Sequence, residues 1–162
     1  MAHSPRTLPT HGPGGAVLDD IAKQIIEQLQ QDGRRSYAAI GHAVGLSEAA
    51  VRQRVQRLLD AGAMQIVAVT DPMTLGFRRQ TMIGVRCSGE LEQVAEQLAA
   101  MDEIDYVVIT AGSFDLLIEV VCEDDDQLLE ILSQVRGIPS VTATETFVYL
   151  KLCKQTYSWG TR

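Results

Sequence analysis

Three runs in the first half of the chain carry apolar residues at helical spacing. Leu18, Ile21, Ile25, Ile26 and Leu29 line one side of Leu18 to Gln31, and Asp19 and Asp20 sit in its first turn, where acidic groups complement the helix dipole. Tyr37 to Val44 is a second helical run. Glu48 to Ala61 is a third, with Val51, Val55, Leu58 and Leu59 at i, i+4, i+7 and i+8. Between the last two stands Gly45-Leu46-Ser47: a glycine that can end a helix, an apolar residue that can turn inward, and a preferred N-cap for the next helix. Gly62 supplies the stop at the far end. This pattern predicts a helix-turn-helix. The alternation in Gln65 to Thr70, with Ile66, Val67 and Val69, predicts a strand that serves as wing and tether before the turn signal Asp71-Pro72.

The rest of the chain has another rhythm. Gln80 to Cys87, Ile104 to Ala111, Phe114 to Cys122 and Val141 to Leu152 read as strands, whereas Leu91 to Met101 and Gln127 to Val135 read as helices. The order βαββαβ predicts a ferredoxin-like unit with both helices on one face of an antiparallel sheet. Overall the class is α+β, a winged helix-turn-helix followed by this unit. Domain bounds are expected at 1–17 for a disordered arm, 18–65 for the helix-turn-helix domain, 66–79 for tether and linker, 80–155 for the ferredoxin-like domain and 156–162 for a tail. A sheet with one uncovered apolar face normally finds a second copy of itself, so the last strand, with Phe147, Tyr149 and Leu152, points to a dimer.

Chemistry concentrates on the third helix. At 100° per residue, Ala49, Gln53, Gln56 and Arg57 face away from the apolar stripe, with Arg52 and Arg54 on its flanks. A small, polar, cationic face suits the major groove of double-stranded DNA, because Gln can bond adenine bidentately and Arg can bond guanine or phosphate. Arg34 and Arg35 precede the second helix, and Ser36 and Ser47 stand at the N-caps, where free N–H groups can meet phosphate.

Charge refines this picture. Of the net −7, residues 1–65 carry seven basic and six acidic side chains (+1), and 66–162 carry seven and fifteen (−8). Any DNA contact is therefore confined to the N-terminal half. Cys87, Cys122 and Cys153 are odd in number, widely spaced and set in apolar runs, which suggests reduced core thiols of a cytoplasmic protein. No CxxC or HxxxH spacing supports a metal site. Met1 to Ala16 lacks the continuous apolar stretch of a signal peptide or membrane anchor, and His11 to Gly15, HGPGG, has neither a strand before it nor GK[ST] after it, so a phosphate loop is not expected. Asp124, Asp125 and Asp126 fit a helix start better than a cation site.

LDDIAKQIIEQLQQDGR at Leu18 to Arg34, VGLS at Val44 to Ser47, RVQRL at Arg54 to Leu58, LG at Leu75-Gly76 and TAGSFDLLIEV at Thr110 to Val120 resemble the Lrp/AsnC (feast/famine) family of transcription regulators over residues 18–155. The resemblance implies DNA binding and transcription regulation by the first domain. It also implies a so-called RAM domain that dimerises, stacks into tetramers or octamers, and often binds an amino-acid effector between dimers, with no other cofactor. By the same resemblance Gly112, Ser113, Phe114 and Asp115 occupy the place of the family's G-x-Y-D effector loop, and Phe147, Val148 and Tyr149 lie on the facing strand. Backbone N–H groups at such a turn can bind a carboxylate, and Asp115 can take an ammonium group.

Four departures stand out. Ala22 replaces a usual acid of the first helix and Leu59 a usual Glu, each expected to remove an exposed ion pair; Ala63-Met64-Gln65-Ile66-Val67 stands where a VIxGY-like sequence is common, so the wing is expected to sit differently; and Ser113 replaces the commoner Asp or Glu, leaving the effector open. Two alternative functions follow from the same fold. Siroheme decarboxylases look like this family, yet no histidine follows His42 and the −8 balance is hostile to a polycarboxylate. An amino-acid sensor acting through protein partners is the other.

Overall fold

The computed structural model describes residues 18–161, so the expected arm and its HGPGG segment lie outside the described residues. The chain divides into two compact units, one reaching to Ala68 and joined by the segment from Lys154 onward, the other spanning Val69–Cys153. Both boundaries differ from the expected ones, most of all at the C-terminus. There Gly160 N–H donates to Gln30 Oε1 at 3.1 Å and the Thr161 hydroxyl donates to Glu27 Oε1 at 2.6 Å, so the tail packs with the first helix.

The first unit holds α1 (Asp20–Gln31), α2 (Tyr37–Val44) and α3 (Glu48–Asp60). Each begins on a side-chain cap: Asp19, Ser36 and Ser47 accept from the N–H groups of Ala22, Ala39 and Ala50 at 2.7, 3.2 and 3.2 Å. Gly45 closes α2 at φ 72°, and Leu46 N–H then donates back to the Gly41 carbonyl at 2.9 Å. That return brings the turn so near α2 that a Cβ on Gly41 would lie 2.4 Å from the Leu46 carbonyl oxygen. Gly41 is thus a second glycine the motif requires, for closeness rather than for handedness.

Ile25, Leu29, Ile40, Val51 and Val55 form the main buried cluster, with Leu46 and Leu59 packed against it. Ala22 is buried beside Ile26 and Leu58. The expectation that Ala22 and Leu59 merely delete exposed ion pairs is therefore corrected: both side chains help close the core, where a lone carboxylate would be costly.

Gln65 to Thr70 forms no strand. Its Ile66, Val67 and Val69 are exposed, because alternation alone creates no ladder and the described strands pair only with one another.

The second unit runs β1 (Arg79–Cys87), α4 (Leu91–Ala99), β2 (Ile104–Ile109), β3 (Leu116–Cys122), α5 (Asp125–Gly137) and β4 (Val141–Val148), with sheet order β2-β3-β1-β4, all antiparallel. Ile83, Val85, Leu116, Ile118 and Val120 line one face and pack with Val94 and Leu98 of α4 and Leu128, Ile131 and Val135 of α5. The opposite face bears Met82, Leu117, Glu119, Tyr106 and Phe147, which no helix covers among the described residues.

β4 stops short of the expected Leu152. Its partner β1 begins at Arg79, Tyr149 N–H takes the Gln80 carbonyl at 2.9 Å, and Leu150 beyond is 95% exposed. Cys153 follows this run-off and is exposed, contrary to the core position expected for it, whereas Cys122 is buried and Cys87 half-buried. Asp124 caps α5 by accepting from Gln127 N–H at 2.9 Å, and Asp125 pairs with Arg79.

Thr81 is fully buried among these aliphatics and its Oγ1 finds no hydrogen-bond partner among the described residues. Replacing an unpaired buried hydroxyl by a methyl group removes a desolvation penalty at nearly constant shape. Thr81→Val is expected to raise unfolding stability by about 1 kcal/mol in urea titration; a loss of stability would show that the hydroxyl is satisfied.

Candidate nucleic-acid interface and effector loop

The two sides of α3 differ sharply. Val51 and Val55 are 0% and 1% exposed, while Ala49, Gln53, Gln56 and Arg57 all lie on the exposed side, as their spacing requires. Gln53 and Arg57 have no side-chain partner among the described residues. Gln56 spends its amide on Asp60, donating to Oδ1 at 2.8 Å near the C-terminal end of the helix.

The remaining arginines separate by partner. Arg54 donates twice to Asp19, at 3.0 and 2.7 Å, across 35 positions of sequence. It braces α3 against the start of α1 and is not part of the outward face. The Arg54 hydrogen bond, helped by the Ala22 N–H, holds the Asp19 carboxyl below the ordinary carboxylate range. Arg52 pairs with Glu48 at 2.8 Å and lies over the Tyr37 ring, 5.2 Å from its centroid. Neither Glu48 nor Tyr37 was legible as part of this face, because the sequence offers only the i, i+4 spacing of Glu48 and Arg52 as a signal.

Before α2, Arg34 is exposed and Arg35 half-buried, and the turn is held by Arg34 N–H on Asp32 Oδ1 and Arg35 N–H on the Asp32 carbonyl. Ser36 and Ser47 each cap with the hydroxyl on the third N–H of their helix. The first N–H groups of both helices stay at exposed turns, a geometry suited to anions.

In the second unit the loop after β2 folds onto the uncovered sheet face. Thr110 N–H reaches the Asp115 carbonyl at 2.9 Å, Asp115 N–H reaches the Val85 carbonyl at 3.0 Å, and Asp115 Oδ2 accepts from Cys87 N–H at 2.8 Å. One carboxylate oxygen of Asp115 is therefore committed to the loop's own architecture. Gly112 and Ser113 form the exposed tip, and Arg86 donates from Nε to the Ser113 carbonyl at 3.0 Å while stacking on Phe114 at 5.4 Å.

Phe114 lies flat on Gly84, where a Cβ would come within 2.6 Å of the ring, and meets Phe147 edge-to-face at 6.0 Å and 77°. The loop and β4 are thus brought together at Phe114 and Phe147. Val148 is not part of this group: it pairs in register with buried Thr81 and falls on the other face of the sheet. Tyr149 is pushed up to about 12 by burial first and then by the charge and hydrogen bond of Glu119, whose Oε1 also accepts from Gln80 Nε2 at 2.9 Å.

Comparison with known proteins adds identity to the geometry. A family model described as the AsnC-type helix-turn-helix domain matches residues 18–59, and a second, described as a C-terminal dimeric alpha+beta barrel domain, matches residues 79–162. The HTH-type transcriptional regulator FL11 of Pyrococcus furiosus is 33% identical over 142 residues, 86% of this chain and 94% of its own length. A proline dehydrogenase transcriptional activator of Rhizobium radiobacter is 31% identical over 145 residues, 86% and 93% respectively. Among solved structures, E. coli AsnC has a TM-score of 0.74 at 23% identity, covering 87% of this chain and 97% of that one. The L-Met complex of the transcriptional regulator NMB0573 from Neisseria meningitidis gives 0.74 at 23%, covering 87% and 95%. At these identities the structural likeness speaks for the fold.

A depressed Asp19 contributes stability at pH values above the ordinary carboxylate range and loses it as pH falls through its lowered value. Arg54→Ala is expected to return the Asp19 titration, followed by carboxyl-carbon NMR, toward the ordinary range. An unchanged titration would show that the Ala22 N–H, not Arg54, sets it.

Proposed function

The chain belongs to the Lrp/AsnC family of transcriptional regulators, and from that premise we propose that it reads double-stranded DNA with the exposed side of α3. The observation that carries this reading is the two-sidedness of the helix, sealed at Val51 and Val55 and polar at Gln53 and Arg57. Gln53, Arg52 and Arg57 are the base-reading groups, with Gln56 at the edge of the face and Ala49 small enough to allow close approach. Arg34, Arg35, Ser36 and Ser47 serve the phosphates, which fix register without reading sequence.

The C-terminal unit supplies the second copy. Its uncovered face presents Tyr106 at 50% and Phe147 at 43% exposure, and the matching family description is of a dimeric domain. Dimerisation through this face sets two recognition helices on one duplex and favours an imperfectly palindromic site. Higher assemblies, a tetramer or an octamer, would multiply those contacts.

The Gly112 to Asp115 loop is the proposed amino-acid site. Its exposed tip can hold a carboxylate on backbone N–H groups, Phe114 and Phe147 offer an apolar wall, and the Asp115 oxygen not bonded to Cys87 can meet an ammonium group. Ligand capture there would be felt by the sheet through the Asp115 bonds to β1.

Footprinting at low salt with genomic fragments is expected to reveal protected sites whose occupancy falls steeply as salt rises. Gln53→Ala is expected to lose discrimination between site and random duplex by about tenfold, whereas Arg35→Ala weakens both alike; no protected site, or equal losses in both variants, overturns the reading. Thermal-shift screening with the twenty amino acids is expected to find a ligand that raises the melting temperature and fails to do so in Asp115→Ala. A shift retained in that variant would remove Asp115 from the site.

A further inference from the structure

Arg52 is the one α3 cation of the proposed reading face that is held on two sides. Its Nη2 donates to Glu48 Oε1 at 2.8 Å, one turn back along the helix, and its guanidinium carbon stands 5.2 Å from the centroid of Tyr37, the first residue of α2. Tyr37 is itself anchored, packed against the Ile25, Ile40, Val51 and Val55 cluster. The arginine therefore rests between a carboxylate on its own helix and an aromatic platform fixed to the core, yet its side chain keeps 65% of its exposure. Arg57, by contrast, has no such partner among the described residues.

An exposed arginine normally samples many rotamers, and immobilising it on a target lowers affinity. Holding it beforehand moves that cost into folding. A guanidinium has five N–H donors, so the one given to Glu48 leaves four for a base edge. Glu48 has a second effect. Its exposed carboxylate sits at the N-terminal end of α3, where a duplex would approach, and repels phosphate whatever the sequence, so it weakens site and random binding alike and leaves discrimination to the placing of Arg52.

Resting on the reading that α3 faces DNA, we propose that Glu48 and Tyr37 are specificity-determining positioning residues, which set Arg52 to read a guanine. Neither residue need touch a base. Their action passes through Arg52, so it must vanish when Arg52 is removed.

The test compares affinities of the full chain for a footprinted site, for the site with single base-pair changes, and for random duplex. Glu48→Gln is expected to bind random duplex several-fold more tightly while its site-to-random ratio narrows about three- to tenfold. Tyr37→Leu is expected to narrow the ratio similarly, and Tyr37→Phe, which keeps the ring, to restore it. In an Arg52→Ala background neither substitution should change discrimination further at the affected base pair. Should Tyr37→Leu lose its helical circular dichroism, Glu48→Gln, an exposed change, decides alone. A protected site in the wild type with unchanged ratios in Glu48→Gln and Tyr37→Leu, or the same narrowing without Arg52, overturns this inference and leaves the DNA-binding reading standing. Absence of any protected site removes both.

Discussion

Everything the N-terminal unit can offer a partner depends on how α3 is seated. Val51 and Val55 are sealed against Ile25, Leu29 and Ile40, and burying each such side chain stabilises by about 1.5–3 kcal/mol. The exposed Glu48–Arg52 pair is worth well under 1 kcal/mol, so aliphatic burial and not surface charge decides which side of the helix faces out. The turn sets the approach: Gly41 lets the Leu46 carbonyl come close, and Leu46 pins the loop to the same core. Once that seat is fixed, helical geometry leaves Gln53 and Arg57 on the outside without further instruction.

The second unit follows the same economy with a sheet in place of a helix. One face is closed by α4 and α5 and the other carries no helix among the described residues, and that second side is where the Gly112 to Asp115 loop is tied down. Asp115 binds the loop to Cys87 and Val85 on β1, while Gly84 makes room for the Phe114 ring. A loop fastened to the central strand and capped by an aromatic pair is a stiff platform, which is what a small-ligand site requires.

Features governed by local chemistry were legible in the sequence. The bounds of α2, Tyr37–Val44, follow from Ser36 and Gly45, and the start of α3 follows from Ser47, because caps and glycine turns act within a few residues. Features set by distant partners were not. The alternation at Gln65 to Thr70 reads as a strand, yet none of the described strands takes it into the sheet, and the length of β4 is decided by where β1 begins. Arg54 reads as one more cation near the outward side of α3 until Asp19 claims it from 35 positions away, and Val148 reads as a neighbour of Phe147 although the pleat turns it to the opposite face. The role of Gly41 is hidden for the same reason, since its constraint is a carbonyl oxygen of the turn and not its own dihedral angles.

If α3 reads DNA, the helix seated by its valines presents its other side to the duplex. Amide chemical-shift mapping of the full chain during titration with a protected duplex tests it most directly. The largest perturbations are expected at the exposed positions Ser47, Ala49, Gln53 and Arg57 and at Arg35 and Ser36 before α2. Perturbations centred instead on the sheet of the second unit, with these amides unmoved, would contradict it.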